Sequence, residues 1–401
     1  MSYKTLKDFD LRGKTVLLRA DLNVPVQDGT VTDTTRIDRI LPTITYLREQ
    51  GAKTLILCHY GRPKGQVKPE LSLEFLCPVL AKQWDVPVSF AADTVGPQAK
   101  ALADNLAEGE FGLLENVRFH AEEEQNDPAF AKQLADLADI FVNDAFSAAH
   151  RAHASTEAIT NYLPTCAGLS MEAELNALNE ALEAPERPVL AIVGGAKVST
   201  KLSVLNNLVQ KVDYLVLGGG MSNTFTYAGG TDVGLSLCEK DMADEAKAII
   251  AKAKEHGCEI ILPKDVCIVS ELKEGADHEY VDRTAIPADK EAVDAGPAAA
   301  EYVAEVLQKC KTVLWNGPLG VFEISPFDFG TNTVAKTVAD LTKDGKVVSV
   351  AGGGDTVSAL ENAGVASDFT YISTAGGAFL EWLEGKTLPG VAALESNKKA
   401  A

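Results

Sequence analysis

Four stretches of this sequence place polar or cationic side chains at the end of an apolar run. Asp21 and Asn23 follow TVLLRA, His59 and Arg62 end or follow TLILCH, Arg118 and His120 follow GLLENV, and His150 and Arg151 follow DIFVND. Each run is short and β-branched enough to read as a buried strand. Ligands of an open parallel sheet bind beyond the carboxyl ends of its strands, so four strand ends deliver these groups to one rim. Arg36, near the start of the helix expected after the first run, can face that rim too. Converging guanidinium forks suit a small ligand that carries phosphate and carboxylate groups. One such arginine alone is as readily a solvated surface charge; repetition at four strand ends is what argues for a site. His153, in the crowded stretch AHRAHAS, reads instead as a packing or capping residue.

The second half offers glycines where the first offers arginines. The segments VGGAKVSTK (193–201), LGGGMSN (217–223), WNGPLGVFE (315–323), AGGGDTVSAL (351–360) and STAGGAF (373–379) each follow a strand-like run. Backbone N–H groups at a helix start hold phosphates, and glycine lets the ligand approach closely. Asp355 reads as an N-cap with Thr356 in the first helical turn; a carboxylate beside a triphosphate is also placed to hold Mg²⁺ through oxygen. GGAKVSTK lacks the spacing of a P-loop, and GGGMSN lacks the third small residue of a dinucleotide fingerprint. The first half therefore looks like a receptor for a small anion and the second like a nucleotide cradle. Halves that close on each other suit phosphoryl transfer, where water must be excluded.

The elements that must position these groups follow from the pattern. Buried strand-like runs alternate with amphipathic segments at 35–50, 128–138, 201–209, 242–256, 298–309 and 332–341. That alternation predicts parallel sheets covered by helices on both faces. The fold class is α/β: two doubly wound, Rossmann-like parallel-sheet domains joined by a helix and forming a hinged cleft. The joining helix is expected over 172–185, where Leu175, Leu178 and Leu182 fall at helical spacing before Pro185 and Pro188. Residues 1–171 and 186–378 are the two domains. At 401 residues the chain exceeds one ordinary core, and its 46% hydrophobic and 23% charged composition is that of a globular protein. A net charge of -20 argues against general nucleic-acid or anionic-membrane binding but leaves room for a local basic pocket. Seven scattered cysteines without a C-x-x-C pair read as free thiols in a reducing compartment. With neither a signal-like start nor an apolar run of membrane-spanning length, the chain is expected to be soluble and cytoplasmic.

The motifs LLRADLNVP, CHYGRP, ENVRFH, AHRAHAS, VGGAKVSTKL, LGGGM, LWNGPLGVFE and GGGDT together resemble the phosphoglycerate kinase family in order and approximate spacing. The likeness runs from near Leu6 to EGKTLPGV, almost the whole chain. It implies the reaction ATP + 3-phosphoglycerate ⇌ ADP + 1,3-bisphosphoglycerate with Mg²⁺, in a usually monomeric enzyme. Asp21, Leu22, Asn23, Arg36, His59, Tyr60, Gly61, Arg62, Arg118 and Arg151 match the family's 3-phosphoglycerate positions. Lys197, Lys201, Gly219, Asn316, Glu323, Gly353, Gly354, Asp355 and Thr356 match its nucleotide positions, with Asp355 the metal ligand. The resemblance also implies that a tail from about 379 to 401 packs back on the first domain. Thr200, Tyr60, Ser147, Ala148 and Ala375 depart from the commonest family residues.

A carboxylate acceptor is already ionised at neutral pH, so no general base is needed to create the nucleophile. Catalysis then reduces to positioning and charge neutralisation. Arg36 and Lys201 are expected to approach the migrating phosphoryl group from opposite lobes. Backbone N–H groups near Gly353, Gly354, Gly376 and Gly377 add hydrogen bonds. Two rivals stand beside this reading. A two-lobed cytoplasmic anion sensor would bind without chemistry; the paired Lys197 and Lys201 beside a glycine cradle favour catalysis. A nicotinamide-linked dehydrogenase would need an acidic ribose anchor after a G-x-G-x-x-G turn, and none is found.

Overall fold

The computed structural model describes residues 3–396. The chain divides into two compact units, Met1–Leu175 with Thr387–Ala401, and Asn176–Lys386. In the first unit, six parallel strands are β1 (Thr15–Ala20), β2 (Lys53–Leu57), β3 (Val88–Ala91), β4 (Phe111–Leu114), β5 (Ile140–Asp144) and β6 (Thr165–Ala167). Their spatial order is β3-β4-β2-β1-β5-β6. The order reverses between β1 and β5, which makes that gap the unit's switch point. Side chains alternate across the sheet. Val16, Leu18, Ala20 and Ile56 join one apolar cluster, while Leu17, Leu55, Leu57 and Phe141 join the other. Each fully buried leucine contributes about 1.5–3 kcal/mol over its exposed state. Two faces covered in this way explain why the strands read as unbroken apolar runs.

The second unit repeats the plan. Its main sheet contains β7 (Val189–Val193), β8 (Tyr214–Leu217), β9 (Glu259–Ile261), β13 (Thr312–Asn316), β14 (Val348–Gly352) and β15 (Tyr371–Ser373), ordered β9-β8-β7-β13-β14-β15. The reversal falls between β7 and β13. A separate antiparallel sheet of β10 (Asp265–Val269), β11 (His278–Asp282) and β12 (Glu291–Ala295), absent from the sequence reading, hangs beside it.

The joining segment is helical from Leu169 to Leu178 and continues as a wider π turn over Asn179–Glu183. It starts earlier than 172 because Asp144, at the end of β5, caps it. Asp144 Oδ1 accepts from Met171 N at 2.7 Å, and its Oδ2 accepts from Thr43 Oγ1 at 2.6 Å. Thr43 Oγ1 in turn accepts from Leu169 N at 3.0 Å. Complete burial pushes this carboxyl up to about 6. At the other end of the chain, the helix Gly377–Leu383 packs within the second unit, with Phe379 pressed against Gly352. The helix Pro389–Ser396 lies on the first unit, where Gly390 N donates to Ala149 O at 2.9 Å. The tail residues 397–401 lie outside the described residues. Among the described residues, no helix is long and apolar enough to cross a membrane.

Candidate active site

The rim of the first unit is built at its switch point. Asp21, one residue past β1, accepts both contacts of Arg36 Nη1, at 2.9 and 2.7 Å. Ser147, beyond β5, donates a short hydrogen bond to the same carboxylate. Asn23 Oδ1 accepts from Gly61 N at 3.0 Å, and Gly61 O accepts from Arg118 Nη1 at 3.0 Å. One continuous set of polar contacts thus ties the ends of β1, β2, β4 and β5. Arg62 and Arg151 are exposed, and among the described residues neither has an ion-pair partner. Two positions in this set turn their side chains elsewhere. Leu22 is fully buried in the apolar core, so only its backbone faces the rim. The Tyr60 ring packs edge-on against Phe75, with centroids 5.4 Å apart.

His59 is buried, with Nδ1 3.1 Å from Arg19 Nη2. Burial, then the charges of Arg19, Arg118 and Arg36, hold its pKa well below the usual histidine value, so it is neutral at physiological pH. His153 is also buried and faces Glu123 at 3.7 Å. Burial and the surrounding arginines bring it to about 4, in keeping with a packing role.

The sequence reading assigned no role to Arg19, Asn116, Glu123 and Ser155. Asn116 is fully buried; it donates to Tyr60 O and Leu71 O and accepts from Arg118 N, shaping the loop that carries Arg118. The available signal was parity. Arg19 shares the strand face of Leu17, and a charge on a buried face must be paired.

The rim of the second unit forms between β7 and β13. A Cβ on Gly194 would lie 1.7 Å from Pro318 O, and one on Gly317 2.2 Å from Gly194 O, so only glycines let these two turns touch. Lys201 Nζ donates a short bond to Asn316 Oδ1, and Asn316 Nδ2 donates to Gly352 O at 2.7 Å. Thr356 Oγ1 donates to Gly352 O at 2.9 Å and accepts from Gly317 N at 2.7 Å. Lys201 is half-buried. Burial draws its pKa down, while Asp355 and Glu384 push it back up.

Asp355 does not cap its helix. Gly353, at φ 102°, is the N-cap of Gly354–Asn362, and Asp355 sits exposed in the first turn beside Lys201. A side chain at Gly353 would be strained and would meet Asn316 Nδ2 at 2.7 Å. Gly219 begins the helix Gly219–Ala228, and Gly376 caps Gly377–Leu383. Lys197 and Glu323 are exposed on the loops after β7 and β13. Leu237, missed in the sequence, is half-exposed and packs over Gly220 at the head of the Gly219 helix. Among the familial departures, Thr200 Oγ1 donates to Lys197 O, and Ala375 N donates to Ser373 Oγ.

Asp294 underlies this rim. It is buried, its Oδ2 accepts from Gly330 N at 2.7 Å, and its Oδ1 has no hydrogen-bond partner among the described residues. Burial raises its pKa to about 8. Between about pH 4 and 8 the folded chain therefore keeps a proton that the unfolded chain has released. Its contribution to stability is fully present below the unfolded pKa and is lost as pH rises towards 8, by about 1.4 kcal/mol per pH unit. Asp294→Asn cannot titrate there. Its unfolding free energy, measured by denaturant at pH 5, 6 and 7, is expected to gain on the parent at that rate; parallel pH curves would refute it.

A sequence profile of the family described as phosphoglycerate kinase matches residues 6–386. A phosphoglycerate kinase of Ruegeria sp. (strain TM1040) is 60% identical over 99% of this chain and all of its own length. One from Rhodospirillum centenum is 60% identical over 98% of this chain and all of its own. Among solved structures, phosphoglycerate kinase from Coxiella burnetii superposes with a TM-score of 0.91 at 40% identity, covering 98% of this chain and 99% of that one. The enzyme from Pyrococcus horikoshii OT3 gives 0.81 at 32% identity, with 99% of both chains covered.

Proposed function

This chain belongs to the phosphoglycerate kinase family, and on that premise we propose how its residues divide the work of transfer. The activity is reversible phosphoryl transfer between ATP and the carboxylate of 3-phosphoglycerate, a glycolytic kinase reaction; a sensor without chemistry is not favoured. In our reading the first domain holds the acceptor. Arg62, Arg118 and Arg151 take its 3-phosphate as charge-assisted forks. Asn23, His59 and the backbone of Leu22, Tyr60 and Gly61 line its remaining faces. Asp21 fixes Arg36, which points at the carboxylate end.

The second domain holds the nucleotide. Gly219, with half-exposed Leu237 over Gly220, offers a flat apolar seat for the base, and Glu323 is placed for the ribose. Lys197, Lys201, Asn316 and the N–H groups at Gly353, Gly354 and Thr356 meet the phosphates. Mg²⁺ fits this rim only as part of the nucleotide complex. Among the described residues no cluster of three or more metal-ligating side chains exists, while Asp355 supplies one hard oxygen beside Lys201. Mg²⁺ commonly takes one or two carboxylates and fills its shell with phosphate and water. It would supply charge neutralisation on the nucleotide phosphates.

Closure of the two domains would bring Arg36 and Lys201 to the same phosphoryl group, with N–H donors at Gly376 and Gly377 completing the enclosure. Seven free cysteines suit a reducing cytoplasm, and we place a monomer there. The observation that carries the proposal is the contrast between the rims: free guanidinia at one switch point, a lysine-bearing glycine cradle at the other. A coupled assay of ADP formation with 3-phosphoglycerate tests it. Arg151→Ala is expected to raise KM for 3-phosphoglycerate about tenfold or more with kcat largely kept. Absence of ADP formation by the parent chain would refute the activity, and an unchanged KM would remove Arg151 from the acceptor site.

A further inference from the structure

We propose that Arg19, anchored by Ser155 and Glu123, is a positioning residue that fixes His59 with its proton on Nε2, so that a neutral N–H donor faces the acceptor. The inference rests on the acceptor site described above, but its main readout does not.

Donor and acceptor chemistry determines the order of the chain. A guanidinium has only donors. Arg19 Nη2 lies 3.1 Å from His59 Nδ1, so Nδ1 must accept and the ring proton must sit on Nε2. Arg19 Nε donates to Ser155 Oγ at 2.9 Å, and Nη1 donates to Ala20 O at 2.6 Å. Because Ser155 Oγ receives the Arg19 proton, its own hydrogen is directed to Glu123 Oε1, 2.6 Å away. Ser155 N donates to the same carboxylate at 2.9 Å. The sequence of donation runs from Arg19 in two directions: through Ser155 to Glu123, and directly to His59.

Both charged ends are fully buried. Arg19 points from the inner face of β1 and has no route to water, so Glu123 is the counter-charge that lets it remain there. Desolvation raises the Glu123 pKa while Arg19 and the Ser155 hydrogen bonds lower it. After burial, the groups that act most on His59 are Arg19, Arg118, Arg36 and His153, and each disfavours a charge on the ring. A positive charge on the ring would meet the guanidinia of Arg19, Arg118 and Arg36, which keeps the ring neutral across the physiological range. A neutral Nε2–H can donate to an anionic ligand without the desolvation cost of another buried cation.

The test is ¹⁵N-histidine NMR of the full chain from pH 5.5 to 8. His59 is expected to show an unprotonated Nδ1 and a protonated Nε2 throughout, with no titration step. In Arg19→Met, which removes every donor at similar bulk, the ring is expected to titrate or populate the other tautomer. KM for 3-phosphoglycerate should rise about tenfold or more while KM for ATP stays put. Glu123→Gln keeps the shape and removes the counter-charge; with Arg19 and its donor still in place, the ring is expected to keep its proton on Nε2 and show no titration step, and a titrating ring in this variant would count against the proposal. A protonated Nδ1 in the parent chain, or a titration near pH 6.5, would overturn the proposal even if Arg19→Met failed to fold. A folded Arg19→Met with the parent tautomer and KM would do the same. Failure of the chain to bind 3-phosphoglycerate would refute the acceptor-site reading while leaving the tautomer result to stand on its own.

Discussion

Lys201→Ala is expected to lower kcat by about 10²–10³-fold, the loss typical of one preorganised donor to a transition state. Lys201 is held where it can act. Its ammonium is bonded to Asn316, which is itself tied to the end of β14 through Gly352 O. Burial makes this amine less hydrated than a surface lysine, and Asp355 and Glu384 support its charge. The migrating phosphoryl spreads negative charge over its equatorial oxygens, so a fixed, partly desolvated cation gains most at the transition state. Single-turnover kinetics at saturating nucleotide and 3-phosphoglycerate would measure the chemical step directly. Normal turnover by the alanine variant would remove Lys201 from catalysis.

Arg36→Lys should be nearly as damaging, with a loss in kcat of about 10²-fold or more. Arg36 uses one guanidinium nitrogen on both Asp21 oxygens, while Ser147 buttresses the same carboxylate. That leaves the rest of the planar fork free for the ligand. A lysine placed against Asp21 would satisfy the carboxylate with its only nitrogen and have no second, fixed donor to offer. The charge is unchanged in this variant, so a fall in kcat with little change in nucleotide KM isolates geometry from electrostatics. An unchanged rate would take Arg36 out of the transition state.

Much of this architecture was legible because its elements are buried on both faces. Runs such as TVLLRA and VLAIV have the composition of central parallel strands, and the polar residues at their ends fall on the two rims. The antiparallel sheet at 265–295 was not legible, since β11 reads HEYVD and is mostly exposed, with no apolar alternation to mark it. The helix start at Leu169 depended on Asp144, a tertiary cap from a distant strand that local periodicity does not contain. Asp355 looked like an N-cap from its type, yet the backbone turns at Gly353, where a positive φ is required. Glu123 lies in AEEE, which reads as a solvated acidic run; only the fold shows that its middle carboxylate is buried beside Ser155.

The most direct measurement is a crystal structure with ADP, 3-phosphoglycerate and a planar fluoride mimic of the PO₃ group bound together. Arg36 from one domain and Lys201 from the other are expected to lie within about 3 Å of the mimic, in line between the nucleotide and the acceptor carboxylate. Ligands seated at separate places with only one of these cations near the mimic would contradict a transfer shared between the two domains.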